Sequence, residues 1–430
     1  MESICLNGPI CMQNLLMIAT FVVGYFLITI EHLTKISKTS VALLMAIICW
    51  ILQFANQDVE RANSMLFLSE HLANISQIIF FLIGALTIVE IINVHKGFHL
   101  ILGLIRIRSK KALLWLVAFL TFFLSSVLDN LTTTIIMVSL LRKLIKDGDE
   151  RLLMGGAVVI AANAGGAWTP IGDVTTTMLW IGGQLSAAGV MRSLFIPSLG
   201  CLIVAIGCLT PFFRGYFNAE TQMEADNSTE PMSSVIFWLG LGCMILVPIF
   251  KIVTGLPPFM GMIFGLGVMW LFTDLVHSKY EDREHLKVPH VISKIDVSSV
   301  LFFLGILLCI DALHTAGLLH HLAAWMNGHL SNPEMVAVGI GLASAVVDNV
   351  PLVAASMGMY ELSLFVQDSA FWKLIAYCAG TGGSILIIGS AAGVAFMGLE
   401  KVRFFWYLVR IGIPALAGYF AGIGLFFALS

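Results

Sequence analysis

Eight stretches of the chain, near residues 15–33, 39–55, 76–94, 193–213, 234–253, 259–277, 296–313 and 404–428, run almost without a charged side chain. Each holds about 20 residues, the length a helix needs to cross the roughly 30 Å hydrocarbon core of a bilayer. Lipid offers no hydrogen bonds, so the backbone of such a stretch has to satisfy itself, as a helix does. Composition agrees: 58% of the 430 residues are hydrophobic and 11% are charged, against roughly 45–50% and 25% in soluble domains. The expected fold is therefore an all-α polytopic membrane protein, with the lipid bilayer as a partner and no nucleic acid. Cys5, Cys11, Cys49, Cys201, Cys208, Cys243, Cys309 and Cys378 stand singly, with no CxxC and no Cys/His cluster. They read as small buried residues, neither disulfides nor metal ligands. Residues 1–14 carry no Lys or Arg ahead of a long apolar stretch, which argues against a cleaved signal peptide and for a retained first helix.

Four further segments are apolar but do not fit one span. Segments 152–186 and 371–399 are interrupted by "NAGGAWTPIGD" and "GTGGSILIIGS", which puts Gly165, Gly166, Gly172 and Gly382, Gly383, Gly389 at a break halfway through each helix. Segments 112–145 and 333–366 are too long for one helix and too short for two full spans. Each carries an Asp-Asn pair near its centre, in "SSVLDNLTTTI" and "SAVVDNVPLVA". A re-entrant hairpin with Asp-Asn at its tip accounts for both, because irregular backbone at membrane depth is tolerated where protein or a cavity surrounds it.

These features recur at a nearly constant spacing. Asp129 and Asp348 are offset by 219; "FLIGALTIVE" (81–90) lies over "FFLGILLCID" (302–311) at 221, placing Glu90 over Asp311; the glycines of the two breaks match at 217. Three collinear matches mean two homologous halves. The expected organisation is an N-terminal segment 1–14, repeat 1 at 15–213, a cytoplasmic linker 214–233 and repeat 2 at 234–428. With hairpins that do not cross, each repeat has five crossings, an odd number, so the two repeats have inverted topology. Counting Lys and Arg in alternate loops places 18 of 23 on one side. The positive-inside rule then puts both termini outside.

Inverted repeats with broken helices point to a secondary transporter whose site lies near the bilayer midplane. Asp129, Asp173 and Asp348 fall at the two tips and the first break. A carboxylate buried there is costly unless it is protonated or holds a cation, so a proton and a metal ion compete for the same oxygens. Hard cations take oxygen ligands, and the candidates nearby are Asn130, Thr132, Thr133, Thr134, Asn163, Thr169, Thr175, Thr176, Asn349, Ser384 and Ser390. Glu90 and Asp311 are possible secondary carboxylates, for which an interfacial role is an equal alternative. His95, His99, His314, His320, His321 and His329 are placed in loops.

"SSVLDNLTTTI", "ANAGGAWTPIGDVTTTM", "SAVVDNVPLVA" and "GTGGSILIIGSAAG" together resemble the NhaD-type sodium/proton antiporters of the ion transporter superfamily. The resemblance covers essentially the whole chain. It implies exchange of cytoplasmic Na+ or Li+ for external H+ in a bacterial inner membrane, with no cofactor and no enzymatic activity. It further implies sodium held at Asp129, Asn130, Asp348 and Asn349, and an elevator-like transport domain moving against a homodimeric scaffold. Dicarboxylate carriers of the superfamily have Ser-Asn-Thr at the tips, where this chain has Asp, and a fixed carboxylate repels an anion. Arsenite permeases share the Asp-Asn tip and are the alternative. An intramembrane aspartyl protease also needs two membrane aspartates, but its Tyr-Asp and Gly-x-Gly-Asp motifs are absent from the sequence.

Overall fold

The computed structural model describes residues 12–55, 61–102, 107, 109–145, 148–216, 230–278, 280–329 and 332–429. Most of the expected N-terminal segment (1–11) and of the linker (217–229) lies outside the described residues. The helices of eight or more residues, numbered in chain order, begin with α1 (Met12–Thr29), α2 (Lys38–Ala55), α3 (Arg61–Val94), α4 (Lys110–Ser125), α5 (Asn130–Leu144) and α6 (Gly148–Gly166). They continue with α7 (Val174–Ile181), α8 (Ala187–Leu209), α9 (Ser233–Thr254), α10 (Pro258–His277), α11 (Val297–Thr315) and α12 (Leu318–His329). The last are α13 (Pro333–Ala343), α14 (Asn349–Met359), α15 (Ala370–Gly382), α16 (Ala391–Glu400) and α17 (Ile413–Leu429).

Among the described residues, eight helical segments are long and apolar enough to cross a membrane, and each overlaps one of the eight expected stretches. Their outer faces carry bare apolar side chains, such as Ile252 (74% exposed), Val253 (77%) and Phe405 (76%), a surface that suits lipid and not water. The third span departs from expectation. It was placed at 76–94, whereas α3 begins at Arg61. Arg61, Glu70 and His71 lower the hydropathy of the first turns without breaking the helix, since no Gly or Pro intervenes. Some of the histidines differ from the loop placement. His314 lies in the last turn of α11, and His320, His321 and His329 lie in α12, whereas His95 sits in the turn after α3, as expected, but is fully buried.

The chain divides into two compact units, Met1–Ile79 with Val297–Ser331 and Ala354–Glu361, and Phe80–Asp296 with Asn332–Val353 and Leu362–Ser430. In the first, α2 packs on α11: Trp50 Nε1 donates to the Leu308 carbonyl at 2.9 Å and Thr39 Oγ1 to the Ser298 carbonyl at 3.0 Å. The thiols of Cys49 and Cys309 meet there at 3.7 Å, buried and unoxidised. Cys201, Cys243 and Cys378 are buried and free as well, and Cys208 is free and exposed; Cys5 and Cys11 lie outside the described residues.

The second unit contains both interrupted pairs, α4–α5 with α6–α7 and α13 to the start of α14 with α15–α16. The turn after α4 closes with Leu128 N–H on the Leu124 carbonyl at 2.9 Å, and the turn after α13 with Val347 N–H on the Ala343 carbonyl at 3.0 Å. Each turn is tied to the neighbouring broken helix by a serine: Ser125 Oγ donates to the Ala162 carbonyl and Ser344 Oγ to the Ala379 carbonyl, both at 2.7 Å. Glycine lets the broken segments approach. A Cβ on Gly172 would lie 2.5 Å from the Ser125 carbonyl oxygen, and one on Gly389 would lie 2.5 Å from that of Ser344. The same pair of contacts thus occurs in each half, at positions related by the offsets in the sequence.

Candidate functional site

Each of the four helices that start beside these turns and breaks is preceded by a side-chain oxygen that accepts from a first-turn N–H. Asp129 adopts extended backbone (φ −68°, ψ 161°), and its Oδ1 accepts from Thr132 N–H at 2.8 Å, starting α5. Its Oδ2 accepts from the Thr132 hydroxyl at 2.6 Å. Asp173 starts α7 in the same way, with Oδ1 accepting from Thr175 N–H and the Thr175 hydroxyl, both at 2.9 Å. Ser390 starts α16, accepting from Gly393 N–H at 3.2 Å. Asp348 stands directly before α14 and accepts from Val350 N–H at 3.2 Å. Asx and Ser caps satisfy orphan donors of the first turn, and the positive end of the helix favours an ionised carboxylate.

The tip asparagines connect these caps. Asn130 Nδ2 donates to Asp173 Oδ2 at 2.9 Å and to Asn163 Oδ1 at 3.0 Å. Asn163, in α6, spends both its amide hydrogens on the other half, donating to Ser384 Oγ at 2.8 Å and Ser390 Oγ at 2.9 Å. Asn349 Nδ2 donates to the same Asp173 Oδ2 at 3.4 Å. Asn130, Asn163, Asp173, Asn349, Ser384 and Ser390 therefore form one continuous network. All are buried, Asn163 completely and Asp173 to 2% exposure. Asp129 and Asp348 flank it, half-buried, each next in sequence to a network asparagine.

Other expected ligands behave differently. Thr176 turns its hydroxyl to the Asp173 carbonyl at 2.9 Å. Thr169 donates to the Ser126 carbonyl at 2.6 Å and accepts from Gly172 N–H at 3.0 Å, holding the break in shape. The buried hydroxyls of Thr133 and Thr134, one turn beyond Asn130, have no hydrogen-bond partner. Glu90 accepts from Asn93 Nδ2 at 3.1 Å, and Asp311 faces His71 Nδ1 at 3.4 Å; neither belongs to the network. Ser125 and Ser344 were not among the candidate residues, although both stand in the quoted Asp-Asn stretches at the repeat offset.

Chemically, the site offers a carboxylate whose two oxygens take four hydrogen bonds from neutral donors. Among the described residues, no Lys or Arg forms an ion pair with Asp129 or Asp173. A negative charge so held lacks a cation, and the surrounding donor set of carboxylate, amide and hydroxyl oxygens suits a hard one.

A family model described as a citrate transporter matches residues 25–372. Sodium/proton antiporter 2 of Arabidopsis thaliana is 50% identical over 413 residues, covering 95% of this chain and 98% of that protein. Sodium/proton antiporter 1 of the same plant is 50% identical over 97% of this chain and 73% of its own length. The Na(+)/H(+) antiporter NhaD of Alkalimonas amylolytica is 30% identical over 95% of this chain and 89% of its own.

Proposed function

The chain belongs to the family of the NhaD-type sodium/proton antiporters, and from that premise we propose that it exchanges Na+, or Li+, for H+ at the Asp129, Asp173 and Asp348 carboxylates. It is a membrane transporter and not an enzyme. The observation that carries the reading is Asp173 Oδ2, a buried carboxylate oxygen that receives the amides of both tip asparagines. A charged carboxylate in that setting is stable with a bound cation, and a neutral one with a proton; holding both at once would place two positive charges on one group. Mutually exclusive occupancy of one site is the requirement for antiport.

Sodium in this reading is held by Asp129 and Asp348 with oxygens of Asn130 and Asn349, and the orphaned Thr133 hydroxyl is a further donor. Protons ride on the same carboxylates. The two interrupted pairs are read as inverted repeats with re-entrant hairpins that travel as an elevator-type transport domain in a homodimer. What supports this is the recurrence of the serine and glycine contacts in both halves. A bacterial inner membrane with both termini outside is the reading of the sequence; the transport assay does not depend on it, since plant relatives at 50% identity stand beside bacterial ones at 30%.

Citrate does not fit the site. Its carboxylates would face three aspartates, and among the described residues no Lys or Arg pairs with Asp129 or Asp173 to offset them. The deciding experiment uses purified protein in liposomes with a preformed pH gradient. Na+ or Li+ is expected to dissipate the gradient, and citrate or arsenite is not. The opposite pattern overturns the antiport reading.

A further inference from the structure

The helices that build the site are also tied together at the ends remote from it, and one side chain does so. Glu400 is the last residue of α16, and its side chain is 3% exposed. Oε1 accepts from Arg142 Nε at 2.8 Å and Oε2 from Arg151 Nε at 3.0 Å. Arg142 lies in the last turn of α5 and Arg151 in the first turn of α6. Both guanidiniums add a backbone anchor: Arg142 Nη2 donates to the Leu399 carbonyl at 2.7 Å and Arg151 Nη1 to the Ile145 carbonyl at 3.1 Å. Each of the three helices carries a network residue or an N-cap at its other end: Asp129 and Asn130 for α5, Asn163 for α6, Ser390 for α16. At 1.5 Å per residue the clasp stands ~20 Å from Asp129, ~18 Å from Asn163 and ~15 Å from Ser390 along the helices.

We infer that Glu400 is a positioning residue for the ion site, setting the relative depth of α5, α6 and α16 and so the spacing of the Asn130, Asn163 and Ser390 oxygens. The inference rests on the antiport reading for its transport consequence. A carboxylate shared by two guanidiniums fixes orientation as well as distance, because both partners are planar and directional. Its reach through stiff helices, and not its charge, is what acts on the site, since ~15 Å or more of protein separates the two. At the repeat offsets Glu400 falls over Gly183, Arg142 over Glu361 and Arg151 over Asp368, so the two-guanidinium clasp is not repeated there; Asp368 instead accepts from Ser186 N–H at 2.8 Å and the Ser186 hydroxyl at 2.6 Å.

The test compares wild type with Glu400→Gln, Arg142→Gln and their double variant in liposomes carrying a pH gradient. Glu400→Gln is expected to raise the half-saturating Na+ concentration roughly tenfold, the scale on which partners behind ion ligands act, with the maximal rate within about twofold, a split that mere loss of protein would not produce. Arg142→Gln is expected to do the same, the double variant no more than either, and Glu400→Asp to recover part of the loss. Breaking the Lys96–Glu230 pair by Lys96→Gln is expected to leave half-saturation unchanged. A second readout needs no transport: nitroxides on exposed positions 139 of α5 and 398 of α16 give a distance distribution that broadens or shifts in Glu400→Gln. Unchanged half-saturation in a folded Glu400→Gln protein, or an unchanged distance distribution, overturns the positioning role. A wild type that ignores Na+ overturns the antiport reading instead, and the nitroxide distance still decides the clasp.

Discussion

Asn349, at the tip of the second hairpin, donates from Nδ2 to Oδ2 of Asp173, at the first helix break, over 3.4 Å. The two residues lie 176 positions apart and come from different halves of the chain. With Asn130 on the same oxygen at 2.9 Å, the carboxylate of one half becomes the meeting point of both tips. In the proposed mechanism, a cation or a proton arriving at Asp173 would change what both amides face and so link occupancy to the geometry of both tips.

Replacing that carboxylate by an amide leaves two asparagine donors facing another NH2 group. Asp173→Asn is expected to bring sodium-dependent proton movement in everted vesicles down to background, while the protein remains folded and inserted. Asp129→Asn and Asp348→Asn, made separately, are expected to do the same. Wild-type rates in any of the three would remove that carboxylate from the shared site.

Asn163 is a hub of the buried hydrogen-bond network. Asn163→Ala leaves Ser384 Oγ and one Asn130 hydrogen without this partner, and Ser390 Oγ with Gly393 N–H in its place alone, and buried polar groups left unpaired cost about 1–3 kcal/mol each. A lowered unfolding temperature in detergent, together with weakened Na+ dependence, is the expected result. An unchanged melting curve would mean that water replaces the amide.

The glycines separate close approach from simple flexibility. Gly172→Ala and Gly389→Ala each drive a methyl group against a backbone carbonyl, which cannot rotate away as a side chain can; overpacking of this kind costs about 1–3 kcal/mol. Gly207, in the last turn of α8, has nothing within 4 Å of the added Cβ, so Gly207→Ala is expected to be neutral or to stabilise by at most about 0.5–1 kcal/mol. Thermal unfolding of the three proteins in one detergent checks the contrast.

A pH effect on stability is expected at His95, just beyond α3. Burial pushes its imidazole down to about 4, against the opposing hydrogen bond of Nδ1 to the Ile91 carbonyl. With Nδ1–H on that carbonyl, Nε2 accepts from His277 Nε2 at 3.0 Å. The folded state thus holds the neutral ring, while the unfolded chain takes up a proton near pH 6.5. Stability from this group is complete above about 6.5 and is lost as pH falls toward 4. Apparent unfolding temperatures measured from pH 7 to 4.5 are expected to drop, and His95→Gln to flatten the slope; an equal slope in the variant would assign the acid sensitivity to other groups.

Much of this was legible in the residues. The eight spans follow from runs of apolar side chains, a local property that burial in lipid reads directly, and the Asp-Asn tips and glycine breaks stand out because charge and glycine are costly there. The start of α3 escaped, since Arg61, Glu70 and His71 lower the hydropathy of its first turns without breaking the helix. Thr169 and Thr176 look like ligands in a sequence and turn out to bond backbone carbonyls, a choice set by local rotamers and by which carbonyl lies near.

The sequence by itself determined the class of fold, the eight long apolar stretches and the acidic residues of the proposed site, because solvent preference and helix length act along the chain. Only the tertiary structure decided that Asn163 would reach Ser384 and Ser390, that both tip amides would share Asp173, and that Glu400 would gather Arg142 and Arg151. Those meetings depend on how segments more than 170 residues apart pack against one another, and hydrogen bonds only a few ångströms long leave no periodic trace in the residues that make them.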